Sequence, residues 1–306
     1  MPRPLPVKAD LIGWLKAALA WVFLFSRTFA VAPGIYYLGQ HESEAPLLVT
    51  GNFYLTLFAL ARHLGNTPVR ILVVDTGGIN VWCSAGKGIF SAKEIIAKLK
   101  ECRLQREGEK TRIILPKFSL SGVHLKELRQ AGITPVIGPL YADDLPAYLA
   151  AAVPRNYLGD TVRFGFKERL YSALPTAVQF LYYFWGAYII SLGYLSQAYI
   201  GLAVFLAFSY PLLFPYLPGK LFATKGIALG LAASLVSFLY LLAVGGLTAA
   251  LWPKLLFFWP TAVFVGLSYT GNSPISNYSS VRREISRFLP LVVGLYLVVL
   301  VLEIIY

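Results

Sequence analysis

Val69-Arg-Ile-Leu-Val-Val74, then Asp75-Thr-Gly-Gly78, then Asn80-Val-Trp-Cys-Ser-Ala-Gly-Lys87 are the stretches that decide the fold of the N-terminal half. The first is rich in β-branched residues and reads as a strand buried on both faces. The second ends that strand in a glycine turn. Upstream, Pro46–Thr50 is a short apolar run that ends in Gly51-Asn52, and a helical stretch follows to Leu64, stopped by Gly65-Asn66. Downstream, Ser91–Glu101 reads as a helix with Ser91 as N-cap and Glu94 completing a capping box. Thr111–Leu115 is a strand closed by Pro116, and Ser121–Gln130 a helix closed by Gly132. Ile133–Ile137 is a strand, and Asp143–Ala152 a helix. Strands alternating with helices predict an α/β domain with a Rossmann-like, doubly wound parallel sheet. Ligands of such sheets sit at the carboxyl ends of the strands. Here those ends are Thr50-Gly-Asn52, Asp75-Thr-Gly-Gly78, Pro116 and Gly138-Pro139.

Charge divides the 306 residues into two halves. Residues 1–170 hold 21 Lys and Arg against 13 Asp and Glu, a net charge of +8, whereas residues 171–306 hold only 6 and 2. A hydrophobic content of 57% and a mean hydropathy of +0.63 exclude an ordinary soluble protein and a disordered one. The expected organisation is an interfacial segment over 1–40, a cytoplasmic α/β domain over 41–170 with a cap helix at 80–88, and a transmembrane domain over 171–306. Two cysteines exclude a disulfide framework and a cluster held by four cysteines.

A transmembrane helix needs about 20 apolar residues. On that scale the second half predicts an α-helical bundle of five spans, near 172–193, 198–216, 226–248, 253–271 and 287–306. Lys167 and Arg169 precede the first, Lys220 and Lys225 lie between the second and third, and Arg282, Arg283 and Arg287 between the last two. The loop from Ser191 to Gln197 is uncharged, and Lys254 is the lone charge between spans three and four. That alternation places the N-terminal half and the basic loops in the cytoplasm of a multi-pass inner-membrane protein, with Tyr306 outside. So few ionisable groups inside the spans fit an anchor or docking platform rather than a transport path. Gly226, Gly230 and Ser234 form a small-residue stripe suited to close helix packing. Near the start, Ala17–Ser26 between Lys16 and Arg27, followed by Ala30-Val31-Ala32, imitates a signal peptide. Its ten residues are too few to span, so Asp10–Ser26 reads as an amphipathic helix at the membrane surface or on the bundle.

The chemistry lies in Asn80–Lys87. Asn80 is a good N-cap and places Cys83 in the first turn of a short helix, where unpaired amides and the helix dipole favour a thiolate. Gly86 and Lys87 fall three and four residues on, on the same face as Cys83. Ser84, Ala85 and Gly86 supply small side chains, which would let something flat and large approach the backbone. A P-loop fails, because Val81 stands at the first glycine and Gly88 at the Ser/Thr position. A dinucleotide fingerprint fails for want of spaced glycines. Cys102, in Lys100-Glu-Cys-Arg103, reads as incidental, and His41, His63 and His124 are scattered.

The octad Asn80-Val-Trp-Cys-Ser-Ala-Gly-Lys87 resembles the cap-helix signature of the mercury-methylating corrinoid protein family. That family in turn resembles the large corrinoid subunit of the acetyl-CoA pathway's corrinoid iron–sulfur protein. Pro46–Asn52, Ile71–Gly88, Ile113–Pro116 and Val136–Pro146 fall where the family has matching segments, and a corrinoid domain followed by five spans is its layout. The resemblance implies a base-off, cobalamin-type corrinoid bound by Thr50, Asn52, Thr76, Gly77, Asn80, Val81, Trp82, Cys83, Ser84, Ala85, Gly86 and Lys87. Cys83 would be the lower axial ligand of cobalt and the catalytic residue. An Asp-x-His-x-x-Gly motif, the usual source of a histidine ligand, is absent. The implied activity is methyl transfer from cobalt to Hg(II), assisted by the electron-donating thiolate. The implied partners are a ferredoxin-like 4Fe-4S electron donor, a methyl-donating methyltransferase or methyl-tetrahydrofolate, Hg(II) and the membrane, with no nucleic acid. The net charge of +8 suits an acidic electron carrier or anionic lipid equally.

The family signature normally has Ala directly after the cysteine, whereas this chain has Ser84 and then Ala85. That hydroxyl beside the ligand keeps a second reading open, in which the same domain passes methyl groups to another acceptor in one-carbon metabolism. A third reading, of another class, is a non-enzymatic membrane scaffold or sensor in which Cys83 is structural.

Overall fold

The computed structural model describes residues 2–23, 28–105, 110–150, 156–157, 161–191, 196–276 and 278–306. The chain forms two compact units, Met1–Val162 and Arg163–Tyr306.

The first unit is built on a six-stranded sheet of order β1-β2-β4-β3-β5-β6, from β1 (Arg3–Pro4), β2 (Gly34–Leu38), β3 (Leu47–Gly51), β4 (Val69–Val74), β5 (Thr111–Pro116) and β6 (Ile133–Gly138). Strands β3 to β6 occupy the expected places and pair in parallel. Strand β2 runs antiparallel to β4, and β1 adds beside β2. The expected all-parallel sheet is therefore corrected to a mostly parallel one. Pro33 and Gly34 conceal β2 in the sequence, and β1 has only two residues, too few for any period to show.

Helices cover both faces of the sheet. On one face α1 (Leu11–Val22), α2 (Tyr54–Leu64) and α6 (Leu145–Leu149) pack on Val69, Ile71 and Val73 of β4. On the other, α3 (Val81–Gly86), α4 (Ala92–Glu101) and α5 (Leu125–Gln130) pack on Leu72 and Val74. Alternate residues of β4 thus enter separate cores, which is why that strand is apolar almost throughout. The β3–α2–β4 connection takes one face and the β4–α3–α4–β5 connection the other, so the winding reverses between β3 and β5. The carboxyl ends of those two strands form the crevice that such a reversal opens.

Several local expectations change. The helix expected over Ser121–Gln130 is a 3-10 turn at Lys117–Ser121 followed by α5, since Gly122 and Val123 interrupt it. The helix expected from Asp143 is a 3-10 turn at Ala142–Asp144 and then α6, and residues 151–152 lie outside the described residues. Ser91 caps α4 by accepting from the Glu94 amide at 3.4 Å. Helix α1 covers the core of the amphipathic expectation, whose end at 24–26 lies outside the described residues.

The second unit consists of α7 (Phe166–Ile190), α8 (Ala198–Leu213), α9 (Phe222–Ala243), α10 (Trp252–Asn272) and α11 (Tyr278–Ile305). Residues 192–195, within the first expected span and its loop, lie outside the described residues. Among the described residues three helices are long and apolar enough to cross a membrane: Phe222–Ala243, Ala249–Asn272 and Ser279–Ile305. Three of the five expected spans thus have a candidate among the described residues. Helix α8 has only 16 residues, and α7 carries Lys167, Glu168 and Arg169 in its first turn with Gln179 and several tyrosines further on. Helices α9 and α10 approach closely at glycines: a Cβ on Gly226 would lie 2.5 Å from the Ala262 carbonyl oxygen, and one on Gly266 would lie 2.5 Å from that of Phe222. Lys254 pairs with Glu303 at 3.7 Å, and Glu303 also accepts from the Tyr199 hydroxyl at 2.6 Å.

Candidate functional site

The site is built at the carboxyl ends of β3 and β4. Asn52, one residue past β3, reaches across to the segment that follows β4. Its Oδ1 accepts from the Thr76 amide (3.0 Å), the Thr76 hydroxyl (2.8 Å) and the Gly78 amide (3.0 Å). Its Nδ2 donates to Asp75 Oδ1 at 3.1 Å, which also accepts from the Gly77 amide at 2.9 Å. Gly77 and Gly78 have φ of +64° and +70°, the left-handed region that glycine adopts without steric cost. The Asp-Thr-Gly-Gly turn is thus locked onto β3, and it aims the chain into α3. Asn52 and Thr76, expected to meet the cofactor, are buried and brace this turn.

Asn80 caps α3 as expected: its Oδ1 accepts from the Cys83 amide at 2.7 Å. Val81, Ser84 and Ala85 are buried, while Trp82, Cys83 and Gly86 are half-buried and Lys87 is exposed. The open face therefore carries Trp82, Cys83, Gly86 and Lys87. This corrects the expected small-residue approach surface, because Ser84 and Ala85 point into the protein. The buried side presses on the Lys117–Ser121 turn: a Cβ on Gly122 would lie 2.1 Å from the Ala85 carbonyl oxygen. Trp82 meets Phe118 of that turn, with ring centroids 6.4 Å apart. Phe118 and Gly122 escape sequence reasoning, since neither belongs to a motif and only the fold brings them under α3.

The Ser84 hydroxyl lies 2.9 Å from the Asn80 carbonyl and 3.1 Å from that of Val81. It bonds back into its own helix, on the side away from the open face.

Burial pushes the Cys83 thiol above its ordinary pKa, and the opposing pulls of Asn80 and Lys87 do not overcome it. That direction runs against the thiolate expected from the helix terminus. Cys102 is also pushed up, chiefly by burial, and it packs at the margin of the α4 core.

Thr50 lines a small cavity of about 80 Å³ where the winding reverses, together with Pro116, Gly138, Pro139 and Tyr141. Its hydroxyl is buried without a hydrogen-bond partner, as is that of Ser119 in the turn beneath α3. A buried hydroxyl without a partner calls for a ligand or water to satisfy it. Among the described residues no three His, Cys, Asp or Glu side chains gather as a metal site. Cys83 offers a single sulfur on the open face of α3, and no residue of α3 lines this cavity.

Residues 26–132 match the family model described as CO dehydrogenase/acetyl-CoA synthase delta subunit. The stretch runs from before β2 to the end of α5 and contains the whole of α3. The chain is similar to acetyl-CoA decarbonylase/synthase complex subunit gamma of Methanopyrus kandleri, 32% identical over 88 residues, which are 28% of this chain and 19% of that protein. The subunit gamma of Methanothermobacter thermautotrophicus is 28% identical over 123 residues, covering 39% of this chain and 26% of the relative. That of Methanocaldococcus jannaschii is 30% identical over 94 residues, covering 30% and 19%. The chain thus spans about a fifth to a quarter of the length of these relatives.

Proposed function

We propose that the first unit is a corrinoid-binding methyl carrier of one-carbon metabolism, held at a membrane by helices of the second unit. The observation that carries this reading is Cys83, capped by Asn80 and presented on the open face of α3 at the carboxyl edge of a doubly wound sheet. The match of residues 26–132 to the CO dehydrogenase/acetyl-CoA synthase delta subunit model covers that region and supports the same class of chemistry. A corrinoid, when bound, supplies the cobalt that carries the methyl group. Cys83 would ligate that cobalt, giving up its proton to do so. Asn80 and Lys87 both favour the resulting negative charge. Thr50 would bond a polar substituent at the groove, and Trp82 against Phe118 would keep water from the thiol's side. Asn52 would act through the turn, holding α3 in place. A ferredoxin-like 4Fe-4S donor and a methyl-donating methyltransferase or methyl-tetrahydrofolate are the partners this reading needs.

A second reading has Hg(II) as the methyl acceptor. It is favoured by the orientation of Ser84: the one departure from the mercury-methylating signature is turned into the helix and leaves the open face unaltered.

The test is to purify the full chain in detergent with a base-off corrinoid and record its visible spectrum. Cys83→Ala should lose the spectrum of thiolate-ligated corrinoid and methyl transfer together, and Cys102→Ala should keep both. An unchanged spectrum and activity in Cys83→Ala would reject Cys83 as the cobalt ligand, and a native chain that takes up no corrinoid would reject the carrier reading in favour of a scaffold. Formation of methylmercury from Hg(II) with a reduced ferredoxin present would select the second reading. Turnover with methyl-tetrahydrofolate and no methylmercury would select the first.

A further inference from the structure

We propose that the outer face of α1 lies in the headgroup layer of an anionic bilayer, so that the first unit rests on the membrane. This inference depends on the membrane placement of the second unit and not on the corrinoid reading. Helix α1 is amphipathic in the reverse of the soluble sense. Its small residues Gly13, Ala17 and Ala20 are buried, against α2 and the adjoining core. Leu11 is 86% exposed, Ile12 64% and Leu15 60%, and Trp14 is 46% exposed with its ring 5.0 Å from that of Phe58 on α2. A helix bathed in water turns its large apolar side chains inward. Twelve residues make a helix of about 18 Å, well short of the roughly 30 Å of a hydrocarbon core, so it cannot cross and must lie along the surface.

Charge identifies the occupant. From Met1 to Arg27 there are four Lys or Arg and one acidic residue, Asp10. The Asp10 carboxylate is occupied as the N-cap of α1, accepting from the Gly13 amide at 2.8 Å. Lys8 and Lys16 are exposed, and the Arg62 guanidinium lies 4.8 Å from the centre of the Trp14 ring. Basic groups around an apolar face are the pattern that binds anionic headgroups. The chain itself supplies the nearby bilayer, through three helices long and apolar enough to cross one.

The experiment uses the full chain in nanodiscs of phosphatidylcholine with phosphatidylglycerol, the lipids brominated either near the headgroup or deep in the acyl chain. Subtracting the emission of Trp14→Phe isolates the Trp14 component. Shallow bromine is expected to quench that component at least twofold more than deep bromine. Replacing the phosphatidylglycerol, or the double change Leu11→Glu with Leu15→Glu, should at least halve the effect. Both leucines are exposed, so the double variant keeps the packed face of α1. Quenching by aqueous iodide with none by bromolipid would overturn the proposal, as would shielding from both, which would mean that protein covers the face. Extraction of the chain from membranes by carbonate would overturn the placement of the second unit and this inference with it.

Discussion

Replacing Gly122 by alanine tests whether the Lys117–Ser121 turn sets the position of the cap helix. Gly122 has φ of −136°, a conformation open to any residue, so the substitution introduces no backbone strain. Its effect is purely steric. The added Cβ would lie 2.1 Å from the Ala85 carbonyl oxygen and 2.8 Å from the Ala85 Cα, and ordinary contact begins at 3.4 Å. The opposing atoms are backbone, so no rotamer change relieves the overlap. Either α3 or the turn must move by about 1.3 Å, from 3.4 minus 2.1. Overpacking of this kind costs about 1–3 kcal/mol. A shift of about 1 Å in a reacting group lowers rate on the order of 100-fold. Cys83 belongs to the helix that is displaced, two residues from Ala85. Gly122→Ala should therefore weaken corrinoid binding and lower methyl transfer by that order, with a modest fall in melting temperature. The assays are a titration followed by the visible spectrum, the initial rate, and thermal unfolding by circular dichroism. Wild-type values in all three would refute the argument, because they would mean that α3 does not bear on this turn.

Asn52→Asp keeps an oxygen for the Thr76 and Gly78 amides but sets a second carboxylate against Asp75, 3.1 Å away in the native bond. Like charges raise the folded-state carboxylate pKa, so the loss should grow as pH rises and shrink at pH 5. The expected cost near neutrality is about 1–3 kcal/mol, read from denaturant melts at both pH values. In the corrinoid-free chain Cys83 should alkylate with iodoacetamide more slowly than the same cysteine in denatured chain across the ordinary thiol range. The unfolded thiol ionises first, so its contribution to stability is lost as pH rises above the unfolded pKa; equal alkylation profiles would contradict the burial argument. Gly266→Ala sets a Cβ 2.5 Å from the Phe222 carbonyl oxygen and should lower the detergent-solubilised melting temperature, whereas Gly294→Ala, with open space around it, should not.

Strand β4 could be read directly because its side chains go alternately into two cores, and a six-residue apolar run of that kind has few alternatives. Strand β2 could not: Gly34-Ile-Tyr-Tyr-Leu38 lies close behind a proline and a signal-like apolar stretch, and its partner β4 is more than thirty residues downstream. The Asn80 cap and the placement of Cys83 follow from local chemistry alone, since the hydrogen bond spans three residues. The brace at Asn52 spans 24 residues to Thr76, and no sequence period encodes such a distance. A polar residue at a strand end therefore looks the same whether it faces a ligand or holds a turn. The same limit explains the spans. Hydropathy locates apolar segments, and all five were found as helices, but it does not reveal that α8 stops at sixteen residues.

Ser84 shows how side-chain direction changes a functional argument. In the sequence it is a hydroxyl beside the proposed ligand, and its contrast with an alanine signature suggests altered chemistry. In the structure its hydroxyl bonds back to the Asn80 and Val81 carbonyls, the usual refuge of serine in a helix. The residue is fully buried, while Cys83 next to it is turned toward the open face. Adjacent helix positions point about 100° apart, so neighbours in sequence serve different surfaces. Ser84→Ala should accordingly leave corrinoid binding and the choice of methyl acceptor unchanged, because it removes only a helix-internal bond worth about 1 kcal/mol. The measurement is the ratio of methylmercury to alternative methylated product at saturating acceptor. A changed ratio in Ser84→Ala would show that the hydroxyl reaches the thiol, and the buried orientation would then be the step to abandon.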